Sequence, residues 1–223
     1  EERCFAVNAR APGIIAEQAK KLGSALIHYS TDYVYDGRQR EAYCESNSTN
    51  PLGVYGKSKL LGDSAIQESG VAFLIFRTSW VYSSMGHNFY LTIKRLLIEK
   101  EQIKVVDDQK GAPTSAGSIA AATVDIINSV TNTGSINNAV RENAGTYHMT
   151  CGGETSWYGF AQAIKSNLAR THKNLADIIP VTSNEFPVKA QRPMYSVLDN
   201  SLLKKTFKVE LPHWTHALDQ IGA

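Results

Sequence analysis

Ala25-Leu26-Ile27-His28-Tyr29-Ser30-Thr31-Asp32-Tyr33 is the stretch on which the reading of the chain turns. Its first five residues form a short, mostly apolar run without alternation, the pattern of a strand buried on both faces of a parallel sheet. The run stops at Ser30, Thr31 and Asp32, which place two hydroxyls and a carboxyl at its end. Upstream, Asn8 to Leu22 carries Ile14, Ile15, Ala19 and Leu22 at helical spacing, with Gly23 placed to end the helix. Downstream, Gly53 to Ser69 reads as a helix closed by Gly70, and Val71 to Phe76 as a second buried strand.

The alternation continues. The spacing predicts a helix over His87–Glu101, a strand over Ile103–Val106, a helix over Ser118–Val130, a strand over Tyr147–Thr150 and a helix over Ser156–Ala169. Thr131 to Asn143, rich in Asn, Thr and Gly, reads as a surface loop. From Asn174 onward, Pro180, Pro187, Pro193 and Pro212 interrupt short periodic pieces, the pattern of a smaller, loop-rich lobe. Strands alternating with helices predict an α/β fold with a doubly wound parallel sheet.

The bulk composition excludes several classes. Of 223 residues, 43% are hydrophobic and 20% charged, enough apolar material for a core and too little charge for disorder. The net charge of +2 comes from scattered Lys and Arg, which argues against a nucleic-acid surface. No apolar run approaches the roughly 20 residues that span a bilayer. Cys4, Cys44 and Cys151 form no CxxC pair, which argues against a disulfide framework or zinc site and fits a reducing cytoplasm. The histidines show no ligand spacing, and Asp107-Asp108 reads as a solvated turn, so no protein-built metal site is expected. Asn47-Ser48-Thr49 matches a glycosylation sequon and reads as a chance match in a polar loop.

Doubly wound sheets bind ligands beyond the carboxyl ends of their strands, so chemistry is sought there. Ser30, Thr31 and Asp32 end the first run; the same residue types are common in plain turns. In Tyr55-Gly56-Lys57-Ser58-Lys59, the phenol and the ammonium lie four residues apart and share a helix face. A cation nearby lowers a phenol's pKa from about 10, and a phenol so tuned can protonate a carbonyl oxygen as hydride reaches carbon. A surface helix holding Tyr and Lys by chance is the alternative. Thr31, 24 residues before Tyr55, supplies a hydroxyl that can face the phenol across the crevice. After the second run, Arg77-Thr78-Ser79-Trp80-Val81-Tyr82 offers Trp80 as a wall for a sugar or base, or as a core residue.

Together these stretches resemble the extended short-chain dehydrogenase/reductases. The resemblance rests on His28-Tyr-Ser-Thr-Asp-Tyr-Val-Tyr35, Asn50-Pro-Leu-Gly-Val-Tyr-Gly-Lys-Ser-Lys-Leu-Leu-Gly62, Phe76-Arg-Thr-Ser-Trp-Val-Tyr82, Asp108-Gln-Lys-Gly-Ala-Pro-Thr114 and Gln191-Arg-Pro193, in the family's order. It implies a Rossmann-like fold and, for the members most similar in these motifs, reduction of the 4-keto group of dTDP-6-deoxy-L-lyxo-4-hexulose by NADPH or NADH. Tyr55 would then be the proton donor. Lys59 would bind the nicotinamide ribose and tune the phenol, and Thr31 would bond the reacting oxygen. Tyr29, Thr78 and Ser79 would lie along the cofactor, and Asp32 and Trp80 against the sugar nucleotide. Gln109, Thr114 and Arg192 would serve the substrate end; Arg192 could pair with diphosphate or be an ordinary surface arginine. Some members use Mg2+ at a dimer contact, for which this sequence offers no support.

The resemblance also implies a division into residues 1–110, carrying Tyr55 and Lys59 in the remainder of a dinucleotide-binding domain, and 111–223, mainly a substrate lobe. The helix over 118–130 and the strand over 147–150 would return to the Rossmann sheet. One departure stands out. The family opens with a strand, a glycine-rich turn and a helix that hold the cofactor pyrophosphate, and nothing like it occurs between Glu1 and Ala223. The expectation is that roughly 70 residues of a dinucleotide-binding half are missing. The chain alone would then bind a dinucleotide poorly and expose an apolar strand edge that favours a homo-oligomer such as a dimer. Two other readings remain: an epimerase or dehydratase of the same family, and a regulatory subunit that binds the cofactor without turnover. Asp32 is followed by Tyr33 rather than by an acidic residue, which disfavours the dehydratase. His28 reads as a core histidine, and Trp157 and Trp214 as packing residues.

Overall fold

A computed structural model of the chain describes residues 1–131, 135–186 and 190–222. Strands β1 (Leu26–Thr31) and β2 (Phe73–Thr78) run parallel, with Leu26 opposite Phe73 and Thr31 opposite Thr78. Three further strands follow: β3 (Val81–Tyr82), β4 (Gln102–Val106) and β5 (Lys110–Gly111). The remaining four are β6 (Thr114–Ser115), β7 (Gly145–His148), β8 (Thr155–Ser156) and β9 (Asp177–Val181). β7 lies parallel on the other side of β2, so the central order is β1-β2-β7. The lack of alternation in the β2 run has a direct cause. Leu74 and Phe76 enter the large core on one face, while Ile75 packs with Ala16, Ile66 and Val71 on the other. Helices therefore cover both faces, as the doubly wound reading requires.

The helices that cover Ile75 precede and follow β1. One runs continuously from Glu2, as α1 (Glu2–Phe5), a π-helical stretch (Ala6–Arg10) and α2 (Ala11–Lys21). It starts six residues earlier than the apolar spacing indicates, because its first turns bury no side chain. Pro12 has no N–H for the Asn8 carbonyl, and the π-helical turn lies just there. The helix closes in a Schellman arrangement: Ser24 N donates to Ala19 O (2.8 Å), Gly23 N to Lys20 O (3.1 Å), and Gly23 takes a φ of 65°.

Helix α3 (Val54–Ser69) follows, starting from extended Gly53 and ending at left-handed Gly70. It packs so closely on the π-helical turn that a Cβ on Gly62 would come within 2.1 Å of the Asn8 carbonyl oxygen. Gly62→Ala is therefore expected to lower stability by about 1–3 kcal/mol in urea unfolding, since backbone must move to admit the methyl group.

The rest of the chain covers the other face and builds the lobe beyond it. Helices α4 (Phe89–Glu99), α5 (Ala116–Thr131), α6 (Ile136–Glu142) and α7 (Trp157–Leu168) lead to α8 (Ser201–Phe207) and α9 (Trp214–Gly222). β4 pairs in parallel with β9, which tolerates Pro180 within it, and the short pairs β3–β6 and β5–β8 tie the connections together. Two features differ from the sequence reading. Residues 136–142, read as part of a loop, form α6, because Ala139 and Val140 are buried. Its Asn137 side chain accepts from Ala25 N (2.9 Å) and donates to Gly23 O (2.7 Å), fixing the start of β1. A proline-interrupted segment contains strand β9. Residues 132–134 of the expected loop, and Pro187, lie outside the described residues.

Candidate active site

The ends of β1 and β2 open on one side of the sheet, and α3 brings Tyr55 and Lys59 to the same place. Thr31 caps a short 3-10 turn (Asp32–Val34), its Oγ1 accepting from Tyr33 N at 3.1 Å. The same hydroxyl lies 3.0 Å from Asp32 Oδ1. A cleft of about 210 Å³ is lined by Thr31, Asp32, Tyr55, Thr78, Ser79 and Trp80. Trp80 holds a backbone φ of 45°, a left-handed conformation that a bulky residue adopts only when its surroundings compel it. The compulsion is visible: its ring lies against Gly111, where a Cβ would come within 2.4 Å of it, and stacks on Trp157 at 3.5 Å between centroids.

Tyr55 is half-exposed, as a group that meets a ligand must be. Its phenol stands above the ordinary value, chiefly through burial of its surroundings. The Thr31 hydroxyl pulls it down and the Asp32 carboxyl pushes it up, so the lowering expected from Lys59 is not what the phenol shows. Asp32 is 2% exposed. Burial pushes its carboxyl from 3.8 up to about 7, against hydrogen bonds from Ser196 and Thr31 that favour the charge.

Lys59 is buried on the inner face of α3. Its Nζ donates to the Tyr29 carbonyl at 2.6 Å and lies 3.0 Å from His28 Nε2. Burial lowers the ammonium's pKa and Asp63 raises it. Burial, then the Lys59 charge, pushes His28 down to about 4, so the ring is neutral and its Nε2 lone pair accepts from Lys59. Asp63 accepts from Ser30 Oγ (2.8 Å) and pairs with Arg77 Nε (3.4 Å), both charges being nearly inaccessible. Arg77 continues to the Tyr35 hydroxyl (2.9 Å), which meets His148 Nε2 at 2.9 Å. A buried polar chain thus runs from Lys59 to the far side of β7.

A second cavity, of about 260 Å³, opens beyond the indole pair and includes Phe89, Leu96, Gln109, Trp157, Phe186 and Arg192. Trp157 borders both cavities. Its Nε1 donates to Gln109 Oε1 (3.2 Å), and the Arg192 guanidinium sits 6.0 Å from its ring. A third, of about 560 Å³, lies on the outer side of Tyr55 against Tyr33, Gly53, Gln191 and Pro193.

The sequence candidates are distributed as follows. Thr31, Asp32, Tyr55, Thr78, Ser79 and Trp80 share the cleft, and Gln109 and Arg192 share the second cavity. Lys59 lies behind Tyr29, whose hydroxyl bonds Thr123 Oγ1 at 2.8 Å. Thr114 stands apart. It is fully buried, donating to Ala112 O and accepting from Cys151 N. Trp157 was passed over as a packing residue; its place directly after β8 was the available signal. His28, read as a core histidine, is one that also holds Lys59, and Asp63 on a helix carries no pattern of its own in the sequence.

The residues present fit the nicotinamide end of a dinucleotide. Tyr29 offers a partly exposed ring, Lys59 a cation, and Thr78 a buried Oγ1 without a partner among the described residues. No glycine-rich turn for the pyrophosphate occurs in the sequence. Among the described residues no cluster of His, Cys, Asp and Glu could hold a metal ion.

A family model described as the RmlD substrate binding domain matches residues 1–223. The chain belongs to this family. It is 42% identical over 222 residues to the dTDP-4-dehydrorhamnose reductase of Burkholderia thailandensis, a match covering 95% of this chain and 72% of that protein. Among solved RmlD-type structures, that of a dTDP-4-dehydrorhamnose reductase ortholog from Clostridium acetobutylicum superposes with a TM-score of 0.87 at 34% identity, covering 99% of this chain and 74% of the other. The Bacillus anthracis reductase, solved with NADP, gives 0.86 at 31% identity, covering 97% and 72%. Family membership and these superpositions establish the Rossmann-type fold expected from the strand and helix order.

Proposed function

We propose that the chain carries the active site of an NADPH- or NADH-dependent reductase. It converts the 4-keto group of dTDP-6-deoxy-L-lyxo-4-hexulose to the alcohol of dTDP-L-rhamnose. The observation that carries this reading is the convergence of Tyr55, Thr31 and the Lys59 ammonium on one strand end, in a family whose relatives bear the reductase name. A bound nicotinamide supplies the hydride.

The chain's residues do the rest. Tyr55 Oη gives its proton to the ketone oxygen as the carbon becomes tetrahedral, and Thr31 Oγ1 steadies that oxygen and the phenol. Lys59, held by the Tyr29 carbonyl and His28, keeps a positive charge behind the phenol and faces the nicotinamide ribose. Tyr29, Thr78 and Ser79 line the nicotinamide, and Asp32 and Trp80 close the sugar side. Gln109 and Arg192 serve the nucleotide end, where the guanidinium suits phosphate oxygens; Thr114 acts from behind by holding the loop after Trp80. The division near residue 110 belongs to the same proposal, with β7 lying beside β2. For Mg2+ the sequence offers no support either way. The cytoplasm is the proposed location, supported by three free cysteines.

The test is a loss of nicotinamide absorbance on adding the 4-keto sugar nucleotide to protein and NADPH, matched one-to-one by alcohol product. Cofactor binding without turnover would favour the regulatory-subunit reading. Self-association, as a dimer, completes the proposal. It is supported by the outer edge of β1, which no described strand covers, and by Val7, Ile14, Ile15 and Leu22 exposed on the first helix. Sedimentation is expected to show a species of twice the chain mass, and a stable monomer would count against it.

A further inference from the structure

The Thr31 hydroxyl has three neighbours and one proton. Tyr33 N donates to it, Asp32 Oδ1 lies 3.0 Å away, and Tyr55 lines the same cleft, its phenol under the influence of that hydroxyl. An ionised carboxylate only accepts. If Asp32 is charged, it takes the Thr31 proton, and Thr31 presents only a lone pair to the cleft. The Tyr55 proton is then drawn toward Thr31 and away from a ketone. If Asp32 is neutral, its own O–H donates to Thr31 Oγ1. The two acceptor positions of Oγ1 are then filled by Tyr33 N–H and Asp32 O–H, and its proton is free to face Tyr55 and the reacting oxygen.

The surroundings of Asp32 favour the neutral state. Its side chain is sealed from solvent, and Oδ2 has no hydrogen-bond partner among the described residues. A buried charge with a bare oxygen is costly, whereas a protonated carboxyl leaves less unsatisfied. The groups that face it are the hydroxyls of Thr31 and of Ser196 from the C-terminal lobe, the backbone N–H groups of Asp32 and Tyr33, the Tyr33 ring and the Tyr55 phenol on α3; the hydroxyls and N–H groups favour the charge, and burial outweighs them. None of these is a cation. The Arg192 guanidinium acts on Tyr33, one ring further out. Burial correspondingly lifts the carboxyl to about 7.

We infer that Asp32 is a positioning residue that works in its neutral form, donating to Thr31 Oγ1 so that the Thr31 proton points at Tyr55 and the reacting oxygen. Its catalytic consequence rests on the reductase reading; its protonation state does not. Deprotonating Asp32 reverses the Thr31 hydroxyl and disarms the acid, so activity is present at low pH and lost as pH rises through the Asp32 pKa.

Two measurements test this. In the free protein, labelled with 13C at aspartate carboxyl carbons and assigned through the backbone, the Asp32 signal is expected to titrate with a midpoint near 7. A midpoint in the ordinary carboxylate range near 4 overturns the inference, whether or not the protein turns over. In turnover, kcat/KM of the wild type is expected to fall roughly tenfold per pH unit above about 7. Asp32→Asn, whose amide N–H can donate to Thr31 at every pH, is expected to lose that descending limb. Asp32→Leu, which has no donor, is expected to be at least about tenfold slower than Asp32→Asn at pH 6. An Asp32→Asn profile that keeps the wild-type limb, or an Asp32→Leu enzyme equal to Asp32→Asn, overturns the positioning role. A wild type with no turnover at any pH overturns the reductase reading instead, and the carboxyl titration alone then decides the state of Asp32.

Discussion

Tyr55→Phe is expected to cut kcat by about 10²- to 10⁴-fold while leaving the unfolding free energy within roughly 0.5 kcal/mol of the wild type. The two halves of this expectation have different sources. The loss follows from removing a half-exposed phenol in the cleft, where Ser30, Thr78 and Ser79 are buried aliphatic hydroxyls and far weaker acids than a phenol. Thr31 cannot substitute, because its single proton is committed to orienting the phenol or the ketone oxygen. The preserved stability follows from where the ring sits. Tyr33 packs edge-on against Tyr55 at 6.1 Å between centroids, a contact that phenylalanine retains. KM for the sugar nucleotide is expected to change far less than kcat, since the hydroxyl acts in the transition state. Stopped-turnover assays beside urea unfolding of the same preparation separate the two effects.

The largest expected change in stability comes from Arg77→Leu. The guanidinium is buried on β2, bonded to Asp63 and to the Tyr35 hydroxyl. Removing it leaves the Asp63 carboxylate, 1% exposed, with Ser30 as its nearest donor. It also leaves the Tyr35 hydroxyl with the His148 ring and the Cys44 carbonyl. Breaking a buried pair by deleting one partner costs about 3–5 kcal/mol, because the other charge stays behind without compensation. His28 cannot make up the deficit at neutral pH, since its pKa is held near 4 by burial and by Lys59. His148 is likewise neutral, pushed down to about 3 by burial first and Arg77 second. The double variant Arg77→Leu with Asp63→Asn is expected to be less destabilised than the sum of the single changes, because it removes the stranded charge. Additive losses in a thermodynamic cycle would mean that the two groups do not act as a pair.

The central sheet was legible because burial on both faces leaves a plain mark. β1 and β2 begin as mostly apolar runs without alternation, because Ile27, Leu74 and Phe76 pack on one side and Leu26 and Ile75 on the other. The polar residues that follow each run were legible for the complementary reason: the strand ends there and the chemistry begins. α3 was equally plain, with Gly53 and Gly70 at its ends.

What was not legible depends on partners far away in sequence. Helix α6 hides in an asparagine-rich stretch whose Asn137 bonds Gly23 and Ala25, more than a hundred residues earlier. Trp157 looks like an ordinary helix residue until Trp80 is seen stacked on it. Asp63 becomes part of the site only through Lys59, His28 and Arg77, which come from three elements. The role of Asp32 turns on a count of hydrogen bonds at Thr31 that no residue pattern encodes.

The same accounting links the site to the fold. Lys59 reaches the Tyr29 carbonyl and His28 because α3 turns a polar face inward, and the charges of Asp63 and Arg77 accompany it there. A loss of this pair is therefore expected to disturb the ammonium behind Tyr55 as well as the stability of the sheet.

The most direct test follows a labelled hydrogen. Protein, the 4-keto sugar nucleotide and a nicotinamide cofactor deuterated at its transferable position are incubated in ordinary water, and the product is read by proton NMR. If the nicotinamide supplies the hydride while the oxygen takes its proton from Tyr55, deuterium is expected at C4 of the sugar, a non-exchanging position that records where the hydride came from. Protium at C4 in turnover, or no reduced sugar from the wild-type protein, would contradict the proposed reaction.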